Sequence, residues 1–152
     1  MESGKQELLK KRNDGFDDFY DSMLSGLVEF VDVLGISPPH EVLKHAVQFV
    51  PLVAQATHQM PVESGDHKVW FVTRMTYFVG EVFVQKFGGC WFVNDAPESR
   101  YFARYVVGQF KRDAKSSAMI DPYEIALAYV DGALPRDLEA LLGEVEVALR
   151  AY

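Results

Sequence analysis

The chain has 152 residues, 49% hydrophobic and 24% charged, with a formal net charge of −7. That length fits one domain, with or without a short arm, and the globular composition excludes disorder as the state of the whole chain. The acidic balance argues against a general nucleic-acid binder, which carries a basic footprint. A single cysteine, Cys90, excludes an intramolecular disulfide and any multi-cysteine zinc site or iron–sulfur cluster. A reducing compartment is the simplest reading of that usage. The first seven residues, Met1 to Glu7, lack the apolar core of a signal peptide. The richest apolar stretch, Val69 to Phe87, is interrupted by Arg74, Glu81, Gln85 and Lys86, so nothing approaches the roughly 20 apolar residues of a spanning helix. The expectation is a soluble, cytoplasmic protein.

Residues 1–15 read as a flexible polar arm and 16–152 as a single globular domain. Asp14-Gly15 marks a break. From Phe16 onward the apolar residues Phe19, Met23, Leu27 and Val31 recur at helical spacing, which predicts an amphipathic helix closed by Gly35. Asp14, Asp17, Asp18 and Asp21 fall in or before its first turns, where they complement the helix dipole. Ser37-Pro38-Pro39 predicts the next helix start, with Ser37 as cap. Pro51 predicts a kink or a break in that helix, because proline lacks the N–H and clashes with the preceding turn. Ser64-Gly65-Asp66 opens a third segment. Val69 to Val72 looks locally like a strand, but the stripe Val69, Val72, Met75, Val79, Val82 and Phe83 favours a central helix over 66–87. Gly88-Gly89 ends it. Cys90 to Val93 and the region around Tyr105-Val106-Val107 predict two short strands paired as a hairpin across the Asn94–Ser99 turn. Lys111 to Ser117 reads as a polar linker. Asp121-Pro122 starts a helix that ends near Gly132, and Pro135 starts the last one. The fold class is therefore α+β and predominantly helical, with about six helical segments around a central helix and a short antiparallel β-hairpin.

Charge is unevenly placed along the chain. Residues 1–12 carry net +2, residues 13–67 net −8, residues 68–115 net +4 and residues 116–152 net −5. Two explanations compete. Internal complementarity pairs the basic middle with its flanks; a segregated acidic face steers a basic partner instead.

Motifs for chemistry are sparse. His40 and His45 are five residues apart and do not share a helix face, and no His-Glu-x-x-His sequence occurs. The acids around Gly15 lack calcium-loop spacing. No phosphate-binding glycine loop or serine-nucleophile elbow is present. Cys90, beside Trp91, reads as a half-buried packing residue; as a nucleophile it would need a nearby base. Glu81 lies inside the most apolar stripe and must find a partner or hold a proton. A structural polar clamp between central helix and hairpin, with arginine as partner, is the plain reading. A general acid or base, with Asp95 as second carboxylate, is the alternative. Trp91, Arg100 and Arg104 belong to an aromatic and basic region, 91–112. Its mix suits partner recognition or single-strand stacking, and equally a hairpin with aromatics inward and bases outward. No cofactor or metal is expected.

Gly80-Glu81, then Gly88-Gly89-x-Trp91-x-Val93 with Asn94-Asp95, then Asp121-Pro122-Tyr123, resembles small bacterial proteins of unknown function. These have a helix ending in a double glycine, a hairpin with tryptophan and a closing helical pair. The resemblance covers about residues 69–131. Proteins of this look often accompany toxin systems as immunity-type binders, so the resemblance implies that role and no catalytic residue. The leading expectation is a non-enzymatic protein-binding module that sterically blocks a basic partner. Asp14, Asp17, Asp18, Asp21, Trp91, Arg100 and Arg104 are its candidate contact residues. A small-molecule enzyme using Glu81, Asp95 or Cys90, and a single-stranded nucleic-acid or nucleotide binder through 91–112, are the alternatives.

Overall fold

The computed structural model describes residues 3–151. Six α-helices and a 3₁₀ turn pack with a three-stranded antiparallel sheet. They run α1 (Ser3–Asp14), α2 (Phe16–Val33), the 3₁₀ turn (Pro39–Glu41), α3 (Val42–Thr57), α4 (Asp66–Phe87), β1 (Cys90–Val93), β2 (Tyr105–Gly108), β3 (Met119–Ile120), α5 (Pro122–Asp131) and α6 (Leu138–Arg150). The fold is thus predominantly helical α+β, as the sequence predicts. Of the flexible arm expected over 1–15, the described part is helical: α1 reaches Asp14, although it buries no residue. Its attachment is polar. The Tyr105 hydroxyl donates to the Arg12 carbonyl at 2.9 Å, and Lys5 Nζ donates to the Pro97 carbonyl at 3.3 Å.

Helix α4 is the central element, with eleven buried residues that include Phe71, Phe78, Phe83 and Phe87. Its 22 residues override the strand preference of Val69–Val72, because its apolar stripe extends almost around the helix and is met by α2, α3, α5 and the hairpin. Glycine ends both long helices as expected. Gly35 has φ +80°, and the Ile36 N–H reaches back to the Val31 carbonyl; Gly88 has φ +68°, and the Gly89 N–H reaches back to Val84. Both are left-handed caps in which the glycine avoids the Cβ penalty.

The hairpin register pairs Cys90 with Gly108, Trp91 with Val107, Phe92 with Val106 and Val93 with Tyr105. β3 adds to β2 through Val107–Ile120 and Gly108–Met119; at two residues it is too short to leave an alternating pattern. Asp121 caps α5 by accepting the Tyr123 N–H at 3.1 Å, with Pro122 in the first turn. Three local expectations shift. Ser37 makes no capping bond, and the 3₁₀ turn after it begins at Pro39 without a side-chain cap. Helix α6 starts at Leu138 rather than at Pro135, capped by Asp137, which accepts the Ala140 N–H at 2.9 Å. Helix α3 does kink, but at His45 (φ −129°, ψ 38°) and not at Pro51. No helix is long and apolar enough to cross a membrane, among the described residues.

Candidate functional site: the hairpin seat, an aromatic cleft and an acidic helix face

The hairpin is seated on α4 through one tryptophan. Trp91 is 5% exposed, and its ring lies against the backbone of Gly80. A Cβ at Gly80 would fall 1.9 Å from the indole Cζ2, so only glycine admits the ring there. One residue on, Glu81 Oε1 accepts the indole N–H at 3.1 Å. Gly89 permits an equally close approach, since a Cβ there would lie 2.6 Å from the Gly108 carbonyl oxygen. The Gly80-Glu81 and Gly88-Gly89-x-Trp91 pattern therefore has a complete packing explanation: it docks the sheet on the central helix.

A polar relay continues from this seat into α3. Gln85, one turn beyond Glu81, donates to Glu81 Oε2 at 3.5 Å and to the Val42 carbonyl at 3.1 Å, while its Oε1 accepts the Ala46 N–H at 2.7 Å. In an unbroken helix the Ala46 N–H would donate to the Val42 carbonyl four residues back. The Gln85 amide takes both halves of that missing bond. Insertion of a side chain into the hydrogen-bond ladder is a sufficient cause of the kink, and it places the kink at His45 rather than at the proline.

Glu81 is 5% exposed. Burial pushes its carboxyl above the ordinary 4.5, against the Trp91 and Gln85 donors that favour ionisation. Arginine is not its partner. Arg74 lies over the Trp70 ring at 5.1 Å, Arg100 donates to Glu124 at 2.9 Å and Arg104 to Asp121 at 2.5 Å. The clamp expected at Glu81 thus joins helix to hairpin through an indole N–H. Asp95 is exposed in the 94–104 loop and is not among the partners of Glu81. Cys90, expected half-buried, is exposed and donates to Gln109 Oε1 at 3.3 Å. Alternation along β1 explains this: Trp91 takes the core side of the strand, so its neighbour faces out. The histidines are occupied elsewhere. His40 and His45 approach Glu41 at 3.7 and 3.5 Å, His58 bonds the Gln55 carbonyl and His67 accepts the Glu63 N–H. No group of three or more His, Cys, Asp or Glu side chains converges on a point among the described residues.

Beside the hairpin seat lies a cleft of about 430 Å³, between the α1–α2 junction, α4, the hairpin and the start of α5. Its aromatic wall is preformed. Phe19 stacks on Tyr105 with ring centres 4.2 Å apart and meets Trp91 edge-on at 5.3 Å; Tyr77 meets Phe19 at 6.1 Å. Its charged groups are Arg12, Arg104 and Asp121. Asp121 is buried, with one oxygen on the Tyr123 N–H and the other on Arg104. Burial raises the Tyr77 hydroxyl above its ordinary 10.0, with Arg74 opposing, so it remains a hydroxyl donor at neutral pH. Glu81 does not line this cleft.

The ion pairs sort the acidic segments. Lys68–Asp131, Lys86–Glu146, Arg100–Glu124 and Arg104–Asp121 all join the basic middle of the chain to its acidic C-terminal segment. Internal complementarity thus accounts for four of the seven acids in residues 116–152; Asp137 caps α6, and Glu139 and Glu144 form no ion pair among the described residues. In the 13–67 segment Asp14 pairs with Lys10 at 2.8 Å, and Glu41 meets only histidines. Asp17, Asp18, Asp21, Glu29 and Asp32 are exposed on α2 and form no ion pair among the described residues. At about 100° per residue all five fall within roughly 120° of the helix circumference, opposite buried Met23, Leu27, Phe30 and Val31. Asp14 is the last residue of α1 and does not cap α2, whose N-cap is Gly15. Of the other candidate contact residues, Arg100 and Arg104 are both exposed. Trp91 is buried and is not a surface residue. Phe110 is buried as well, so two of the rings in the 91–112 region face the core.

One buried cation escaped the sequence reading. Arg136 is 8% exposed and pairs with no carboxylate among the described residues. Its guanidinium donates to the carbonyls of Val130, Thr57 and Met60, at 3.3, 3.1 and 2.7 Å, and lies 5.8 Å from both the Phe71 and the Tyr129 ring centres. A cation at the C-terminal ends of α3 and α5 complements both helix dipoles. Its position after Pro135, in the connection between α5 and α6, offered no sign of burial. Neither Gln85 nor Arg12 carried a sequence signal, since each is an ordinary polar residue on a helix. The chain matches no protein-family model, no curated protein and no solved structure.

Proposed function

We propose that this chain is a non-enzymatic binding module that sterically blocks a basic protein partner with the outer face of α2. One observation carries the reading. Four of the seven acids of the C-terminal segment, Asp121, Glu124, Asp131 and Glu146, are drawn into ion pairs with the basic middle, whereas Asp17, Asp18, Asp21, Glu29 and Asp32 are all left exposed on one helix face without such pairs among the described residues. A one-signed face of this kind raises the encounter rate with an oppositely charged partner and orients it. Arg100 and Arg104 have carboxylate partners of their own, and Trp91 is buried, so the contact set narrows to the α2 acids. An immunity-type inhibitor is the form of blocking that the sequence resemblance suggests.

The test is affinity capture on the immobilised chain at low ionic strength, beside a D17K/D18K/D21K variant. A partner retained by the parent, lost by the variant and released as salt shortens the screening length to about 3 Å near 1 M supports the reading. Equal retention by both proteins, or no retained protein, overturns it.

A further inference from the structure

The cleft beside the hairpin has features that protein blocking by α2 does not use. It is bounded by elements far apart in sequence, its aromatic wall is fixed by mutual stacking, and its charges do not cancel. Its lining includes two arginines, Arg12 and Arg104, against one carboxylate residue, Asp121. Asp121 has both oxygens engaged, by Arg104 and by the Tyr123 N–H. Arg104 remains about half exposed and uses one N–H in that pair. The Arg12 guanidinium has no hydrogen bond or ion pair among the described residues, although its carbonyl is held by Tyr105. The cleft therefore presents spare cationic N–H donors above an aromatic floor.

We propose that this cleft binds a small aromatic carboxylate, with its ring on the Phe19–Tyr105–Trp91 wall and its carboxylate between Arg12 and Arg104. Each component follows from the lining. A volume of about 430 Å³ falls in the range of small-molecule sites. Flat rings gain most against edge-on and offset aromatic walls. A planar carboxylate matches guanidinium donors, which bind it in fork geometry. The residual positive charge favours a single negative charge over a neutral or cationic ligand. Tyr77 and Thr73 supply hydroxyls on the α4 side; the Thr76 hydroxyl is already spent on the Val72 carbonyl at 2.7 Å. The ligand would also bridge α1 to the hairpin, because Arg12 lies on one and Arg104 immediately precedes the second strand of the other.

A matched probe series separates charge from ring. ¹⁵N-labelled protein is titrated with indole-3-acetate, indole-3-acetamide and tryptamine, following the Trp91 side-chain N–H and the amides of Thr73 and Tyr77. Indole-3-acetate is expected to shift these resonances at sub-millimolar concentration. The neutral amide should bind about tenfold more weakly, the difference a charge-assisted hydrogen bond makes, and tryptamine weaker still. Arg12→Gln should weaken indole-3-acetate by about the same factor. It should leave thermal stability unchanged, since the Arg12 side chain has no hydrogen bond or ion pair to lose among the described residues. The proposal is overturned if the three probes bind alike, if indole-3-acetate moves none of these resonances, or if R12Q binds it as tightly as the parent.

Discussion

Gly80→Ala separates two physical effects of opposite sign. Gly80 sits mid-helix in α4, where intrinsic propensity alone predicts that alanine stabilises by about 1 kcal/mol. The tertiary structure predicts the reverse. The added Cβ would lie 1.9, 2.3 and 2.8 Å from three atoms of the Trp91 ring. To reach ordinary contact near 3.4 Å the indole must retreat by about 1.5 Å. It is packed edge-on against Phe19 and bonded to Glu81, so retreat loses packing, worth about 1–3 kcal/mol, and a hydrogen bond to a carboxyl, worth about 1.5–3 kcal/mol. Less the propensity gain, the net loss is about 1.5–5 kcal/mol. For a chain of this size that lowers the melting temperature by roughly 3–20 °C. Urea unfolding of the parent, G80A, W91L and the double variant closes a thermodynamic cycle. Once the indole is gone G80A should cost little, so the coupling should reach about 2 kcal/mol or more. An unchanged or raised midpoint for G80A in the Trp91 background would refute the close approach of indole to backbone, and with it the packing explanation of the glycine–tryptophan pattern.

Three further outcomes follow from the same geometry. The folded-state pKa of Glu81 is raised by burial, so its contribution to stability is fully present below the unfolded value of about 4.3 and is lost as pH rises through the folded value. Compared with parent across pH 4 to 8, Glu81→Gln should therefore gain relative stability as pH rises, and a pH-independent difference would contradict this. Gln85→Ala leaves the Ala46 N–H and the Val42 carbonyl without their partner, at a cost of about 1–3 kcal/mol readable in urea. Unaltered exchange of the Ala46 amide with unaltered stability would argue that the kink does not depend on Gln85. Arg136→Met should cost about 3 kcal/mol, because three carbonyls lose a charged donor. Arg136→Lys should recover only part of that, since an ammonium cannot reproduce the planar fork; full recovery in thermal melts would count against the guanidinium geometry.

Local rules alone made much of this chain legible. Periodicity marked α2, α4 and α5, and glycine placed the ends of α2 and α4 because a left-handed cap is a local requirement. The hairpin was readable from two apolar runs across a turn. The charge arithmetic located an acidic segment, but only ion pairing in the fold distinguished the four paired acids of 116–152 from the exposed ones on α2. Glu81 was visible as a carboxylate in an apolar stripe, yet its partner was not, because contact between positions ten apart depends on how the hairpin folds back. The same holds for Gln85, which repairs a break in a helix 39 residues away, and for Arg136, whose carbonyl acceptors come from the ends of two other helices. The hairpin's share of the cleft, Trp91, Arg104 and Tyr105, lies in the aromatic and basic region visible in the sequence, but the cleft itself is not, since its other walls come from α1, α2, α4 and α5. Short-range backbone preferences and apolar spacing are written in neighbouring residues; burial, polar partners and the shape of a site are created when distant segments meet.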